Sequence, residues 1–285
     1  MAVDRKALWV RLIVTPILLI TMAGIVLLDL RHCEGFVSSG VLGLLALAAV
    51  SEYVRMMRGA GFPIGRRFLL IAALALHSAA FLSLDVERWQ AVDTELFPPV
   101  LMTIALVFAL SLRALARSRM GIGLEEIGST LLGFVLLCWP LYFAQGLAQR
   151  DPAALFFVVL VAKSGDIGGY LAGIALGSRK LIPHVSPGKS IEGAAGSLVL
   201  ACLVAWLLHD QLLEGEILGA LGAVFVGLLV NLTSQIGDLV ESVLKRRCGV
   251  KDSSRMLPVH GGVLDLLDSL LFSIPAFFFV LVRLT

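Results

Sequence analysis

The sequence predicts an all-α polytopic membrane protein of about nine transmembrane helices. Three observations carry this. Of 285 residues, 58% are hydrophobic and 15% charged. The mean hydropathy is +0.93, far above that of soluble chains. Apolar runs long enough to cross a hydrocarbon layer of ~30 Å recur along the whole chain.

The expected spans are 12–28, 36–51, 68–84, 97–112, 127–146, 153–177, 193–209, 216–240 and 262–282. The first follows a basic start and is long for a signal-peptide core, so it reads as a retained span. The second is short, and glycines interrupt the sixth. Lys and Arg set the orientation, because they gather on the cytoplasmic side. Of the 23, only Arg31, Arg88, Arg150 and Arg283 fall in the alternate connections opposite the N-terminus, and Lys163 lies inside a span. The N-terminus is therefore expected inside and the C-terminus outside. The chain divides into an N-terminal membrane region, 1–150, and a second membrane region, 151–285, whose cytoplasmic loops 178–192 and 241–261 carry the motifs.

The net charge of +2 gives no reason to expect a nucleic-acid partner. Cys138 and Cys202 lie in apolar runs and Cys33 and Cys248 in separate loops, so no disulfide framework or C-x-x-C metal motif is present.

Chemistry concentrates in the second region. Asn231, Ser234, Gln235, Asp238, Glu241, Ser242 and Lys245 recur at three- and four-residue spacing, which puts them on one helix face that lipid would not tolerate. After the basic loop come His260, Gly261 and Gly262, then Asp265 and Asp268 one turn apart. Asp268 can equally be a helix cap. Two carboxylates, Asp238 and Asp265, joined by a cationic loop and a flexible glycine pair suit a magnesium-bound nucleoside triphosphate. A second cluster, Lys163-Ser164-Gly165-Asp166, precedes Gly168, Gly169, Gly173 and Gly177. It serves either a functional cavity or an ion pair with close helix packing. Ser186 to Gly193 looks like a phosphate loop, but it lacks Walker A spacing and no strand is expected before it. Asn231-Leu232-Thr233 matches a glycosylation sequon, at membrane depth. A transporter with a broken sixth helix is the alternative of a different class.

Together these pieces resemble the phosphatidate cytidylyltransferases, or CDP-diacylglycerol synthases. The resemblance is carried by Ser242 through Lys245-Arg246-Arg247, Lys251-Asp252, Leu257-Pro258, His260-Gly261-Gly262, Asp265 and Asp268-Ser269. Upstream, Gly165-Asp166, Tyr170, Gly173, Gly177, Lys180-Leu181, Pro183, Ser186-Pro187, Lys189 and Glu192-Gly193 also match. It covers about residues 160–275. Leu266 stands where the family has arginine, Val259 and Ser254 replace usual glycines, and Ser190 replaces a threonine.

The resemblance implies transfer of the cytidylyl group of CTP to phosphatidic acid. Asp238, Asp265 and Asp268 would hold Mg²⁺, with a second, monovalent cation such as K⁺ beside it. Asp166, Lys189, Lys245, Arg246, Lys251 and His260 would act on the phosphates. Ser186, Glu192, Ser242, Asp252, Arg255, Gly261 and Gly262 would contact substrate, with Arg255 standing in for the missing arginine. A homodimer in the cell inner membrane with its site facing the cytoplasm is also implied. A polyprenol or ether-lipid phosphate is the alternative acceptor.

Overall fold

The computed structural model describes residues 17, 20–33, 35–82, 92–116, 120–213, 219–254, 256 and 261–284. The start of the first expected span, together with Arg255 and His260, lies outside them. After a helical stretch at 20–28 and a π-helical turn at Asp29–Cys33, the Asp29 carboxylate accepts the amides of Val37 (2.9 Å) and Ser38 (2.8 Å). Those amides open the helix α1, Phe36–Gly59. Helices α2, Arg66–Leu82, and α3, Val92–Ala116, follow. Helix α4 is continuous through Met120–Gly133, a π-helical segment Phe134–Cys138, and Trp139–Arg150. Pro140, with no amide hydrogen to donate, is the second residue after the π segment.

Helix α5, Pro152–Leu176, begins at Asp151, whose side chain accepts the amides of Ala153 (2.9 Å) and Ala154 (3.0 Å). Strands β1, Lys180–Ile182, and β2, Ser186–Ser190, pair antiparallel, Lys180 opposite Ser190 and Ile182 opposite Ser186. Helices α6, Ile191–Leu212, and α7, Ala220–Arg247, come next. The last expected span consists of α8, Val263–Leu267, and α9, Leu270–Leu284, with a turn at Asp268 and Ser269.

Several expectations are corrected. The second span does not end at 51, nor the eighth at 240: hydropathy falls there, but helical hydrogen bonding continues to Gly59 and Arg247. Glycine at positive φ ends the second of these, Gly249 (φ 71°), where the Gly249 and Val250 amides return to the carbonyls of Arg246 and Lys245 at 3.0 Å. The sixth span is unbroken, which removes the interruption on which a transporter rests. The loop 178–192 holds a hairpin, so the described chain is not purely helical, and a short strand does precede Ser186.

Among the described residues, seven helices are long and apolar enough to cross a membrane. Helix α2, with 17 residues, spans about 26 Å, slightly short of the ~30 Å hydrocarbon layer. This is a membrane protein. Large apolar side chains such as Phe97, Ile104 and Phe108 on α3 and Val199 and Trp206 on α6 lie on the outer surface, where lipid is the compatible solvent.

One apolar core joins the two regions. Phe143 of α4 lies 5.2 Å from Phe278 and 5.0 Å from Phe279 of α9, and Phe157 of α5 lies 5.7 Å from Phe277, ring centre to ring centre. The glycines of α5 serve close packing against α6. A methyl carbon at Gly168 would stand 2.7 Å from the Gly196 carbonyl oxygen and 2.8 Å from Leu200 Cβ, both too close. Gly168→Val should therefore cost roughly 1 to 3 kcal/mol by overpacking. Gly188→Ala, with open space around it, should leave the thermal midpoint of the detergent-purified protein unchanged.

Candidate functional site

The polar stripe of α7 faces protein. Asn231 is fully buried and donates to the Ser197 hydroxyl at 2.7 Å, while Gln235 donates to Asn231 (2.6 Å) and to the Ala194 carbonyl (3.3 Å). These bonds fix the rotation of α7 against α6 and leave the sequon inaccessible. The next turns of the same face then point at the hairpin and at α8.

Lys189 on β2 meets Asp238 of α7 at 2.5 Å, and the Ser242 hydroxyl donates to the other Asp238 oxygen at 3.4 Å. The hairpin that delivers Lys189 is held at its base. The Ser190 hydroxyl caps α6 by accepting the Gly193 amide at 3.0 Å. Glu192 accepts the Ser178 hydroxyl (2.6 Å) and the amides of Ser178 and Arg179. Arg246 reaches the Val185 and Val250 carbonyls, each at 3.3 Å. Glu192 and Arg246, expected at substrate, thus clamp the loops in this structure.

One turn further on, Lys245 pairs with Glu241 of its own helix and with Asp265 at 2.6 Å. The second Asp265 oxygen accepts the Ser253 amide (2.8 Å), the Ser253 hydroxyl (2.6 Å) and the Gly262 amide (2.8 Å). The Gly262 contact is a helix-start contact, so the capping geometry that the sequence allows for Asp268 belongs to Asp265. Asp268 sits in the turn before α9, accepting the Ser269 amide at 2.5 Å, within electrostatic range of Lys163, Asp238 and Asp166. Lys163 of α5 binds the Ser269 hydroxyl (2.6 Å), the Leu266 carbonyl (3.1 Å) and Asp166 (3.2 Å). At Leu266, where the resembled family has a cation, the chain offers its backbone oxygen to one.

The structure therefore brings Asp166, Lys189, Asp238, Ser242, Lys245, Asp265 and Asp268 to one end of α7 and the adjoining segments. Ser186 is half-buried at the start of β2, and Lys251 and Asp252 are exposed on a bend beyond α7. Gly261 takes a left-handed φ of 85°, and a side chain there would run into Asp252 and Asp265. Two participants were missed. Lys163 is expected from the sequence at a cavity or in a pair with Asp166, not at the turn that carries Asp268. Glu52 of α1 is fully buried and accepts the Ser254 hydroxyl (2.7 Å), the Ser253 hydroxyl (3.1 Å) and the Leu264 amide (2.9 Å). An ionisable residue in an apolar helix is the signal for such a partner, but ending the second span at 51 put Glu52 in a loop.

Among the described residues, no three His, Cys, Asp or Glu side chains form a ready-made metal cage. Mg²⁺ needs only one or two carboxylates when phosphate oxygens and water complete its shell. The side chain of Asp238 is 29% exposed and that of Asp166 43%, against 8% for Asp265. The hard oxygen donors fit Mg²⁺, with Asp238 the accessible member and Asp265 the one held within the protein.

A model of the cytidylyltransferase family matches residues 9–284. The chain belongs to this family. An uncharacterised protein, YnbB, of Escherichia coli is 41% identical over 50% of this chain and 46% of its own length. The phosphatidate cytidylyltransferase of Bacillus subtilis is 38% identical over 55% of this chain and 59% of its own. The chain thus spans about half the length of these curated relatives. The phosphatidate cytidylyltransferase of Synechocystis is 32% identical over 88% of this chain and 90% of its own. For this cytidylyltransferase-family chain, the contacts separate structural from accessible carboxylates. Asp265→Ala removes one partner of a buried pair and should cost roughly 3 to 5 kcal/mol of stability. Asp238→Asn breaks a more exposed pair and should cost under about 1 kcal/mol. Thermal unfolding in one detergent compares them directly.

Proposed function

We propose that the protein is a phosphatidate cytidylyltransferase, joining CTP and phosphatidic acid to give CDP-diacylglycerol and pyrophosphate. The observation that carries this is the convergence of Lys189–Asp238, Lys245–Asp265 and Lys163–Asp166 at one end of the bundle, in a chain of the cytidylyltransferase family. An oxygen of the lipid phosphate attacks the α-phosphorus of CTP, and the bond from that phosphorus to the bridging oxygen breaks, releasing pyrophosphate. Such transfers depend on positioning and charge stabilisation more than on a protein nucleophile.

Asp238 and Asp268, with Asp265 one turn before the latter, would hold Mg²⁺, whose chemistry is to neutralise phosphate charge. Lys189 and Lys245 stand beside these carboxylates, where their ammonium groups meet phosphate oxygens. Asp166 and Lys163 brace the turn that carries Asp268. Ser242, next to Asp238, orients its carboxylate. Lys251, Asp252 and the glycine pair lie in the connection between α7 and α8, and Arg255 and His260 enter the proposal through the family resemblance. A monovalent cation and a pair of subunits remain part of the proposal through the family resemblance.

The proposed setting is the cell inner membrane with nine spans, the N-terminus and the site on the cytoplasmic side and the C-terminus outside. The distribution of Lys and Arg supports it. Cysteines introduced at 189 and 251 should react with an impermeant reagent only from the cytoplasmic face, and labelling from the other face would overturn this orientation.

Purified protein given labelled CTP, Mg²⁺ and phosphatidic acid should form labelled CDP-diacylglycerol, and a panel of polyprenol and ether-lipid phosphates tests the acceptor. Asp238→Asn should lower kcat by about 100-fold or more while the protein stays folded, the scale of losing a charged contact made in the transition state. Activity within twofold of wild type would remove Asp238 from the site.

A further inference from the structure

The N-terminal region carries little of the family resemblance, yet α1 packs against α8, which bears Asp265. Towards the C-terminal end of α1, three residues of this region meet the end of α7, the segment after it and α8. Met57 Sδ lies 3.6 Å from the Cys248 Sγ, Arg247 stacks over the Phe62 ring at 6.0 Å just beyond the helix, and Glu52 receives Ser253, Ser254 and Leu264. Of these, Glu52 is the one bonded to groups that also hold Asp265.

The geometry is specific. Ser253 Oγ lies 2.6 Å from one Asp265 oxygen and 3.1 Å from one Glu52 oxygen, so its single hydrogen is shared between the two carboxylates, with the shorter contact to Asp265. The same Glu52 oxygen accepts the Leu264 amide, next in sequence to Asp265. The other takes the Ser254 hydroxyl, which itself accepts the Met256 amide at 3.2 Å. Gly262 is glycine because Glu52 and the Ser253 hydroxyl occupy the space where a side chain would stand. Buried acceptors are costly without donors, so Glu52 and this loop fix each other.

We infer that Glu52 is a positioning residue for the nucleotidyl-transfer site: through Ser253 and the Leu264 amide it sets Asp265 against Lys245. Its side chain is fully buried, so it acts on the site through those neighbours. This rests on the proposed cytidylyl transfer, and wild-type turnover is the control that separates the two.

Steady-state kinetics on the full-length protein in lipid nanodiscs, with CTP and phosphatidic acid, provide the test. Wild type without activity would sink the proposed reaction. With wild type active, Glu52→Gln, which keeps the size and loses one acceptor, should lower kcat by about tenfold, the scale of one hydrogen bond to a charged group. KM for phosphatidic acid should stay within about twofold, since the lipid is not contacted.

The deciding measurement is the coupling with Ser253→Ala. If Glu52 acts through that hydroxyl, the double variant should turn over no more slowly than the poorer single variant. Losses that multiply, or a Glu52→Gln enzyme with wild-type kcat, would overturn the inference. Should Glu52→Gln fail to fold, Ser253→Ala and Ser254→Ala each remove one of its donors without leaving a buried carboxylate of altered charge. Both must then lower kcat with KM for the lipid preserved, and wild-type kinetics in both would overturn it equally.

Discussion

Lys245 holds two carboxylates at once, Glu241 on its own helix and Asp265 across the loop, and most of the site follows from that constraint. Charge this close to hydrocarbon persists only when opposite charge or hydrogen-bond donors meet it. Three of the acidic side chains are answered from another segment, Asp238 from the hairpin, Asp265 from the end of α7 and Glu52 from the loop, while Asp166 and Glu241 are answered from their own helices. The polar groups stitch together segments that apolar packing alone would leave free to slide. Glycine seams then let α5 and α6 approach closely enough for those short reaches to work.

Much of this is legible in the sequence, for a physical reason. Spans show because lipid demands long apolar runs, and the α7 stripe shows because seven polar residues at helical spacing have no stable arrangement against lipid. Both are local patterns. Helix ends are less legible, since hydropathy marks where membrane contact ends and hydrogen bonding marks where the helix ends. For α1 and α7 those points lie about two turns apart.

Contacts between distant segments are the least legible. Nothing local distinguishes Glu52 from a charge at the end of a span, and its partners lie more than two hundred residues on. The division of labour between Asp265 and Asp268 was hidden for a related reason. Both stand near a helix start, and only the turn at Asp268 and Ser269 shows that Asp265 lies inside α8 and Asp268 between α8 and α9. Glu192 and Arg246 match a family motif, and a motif does not tell a clamp from a contact with substrate.

Helix α7 has 28 residues and is about 42 Å long, while the hydrocarbon layer is ~30 Å thick. The C-terminal end of this helix, with Ser242, Lys245, Arg246 and Arg247, is its polar end and the one suited to the height of the lipid headgroups. At that level one reactant of the proposed transfer diffuses in two dimensions and the other in three. A lipid phosphate would need no lifting from the leaflet and a nucleotide no entry into it. Encounter would then follow the surface density of the lipid rather than its bulk amount, so the same number of protein molecules would respond to the composition of the leaflet around them.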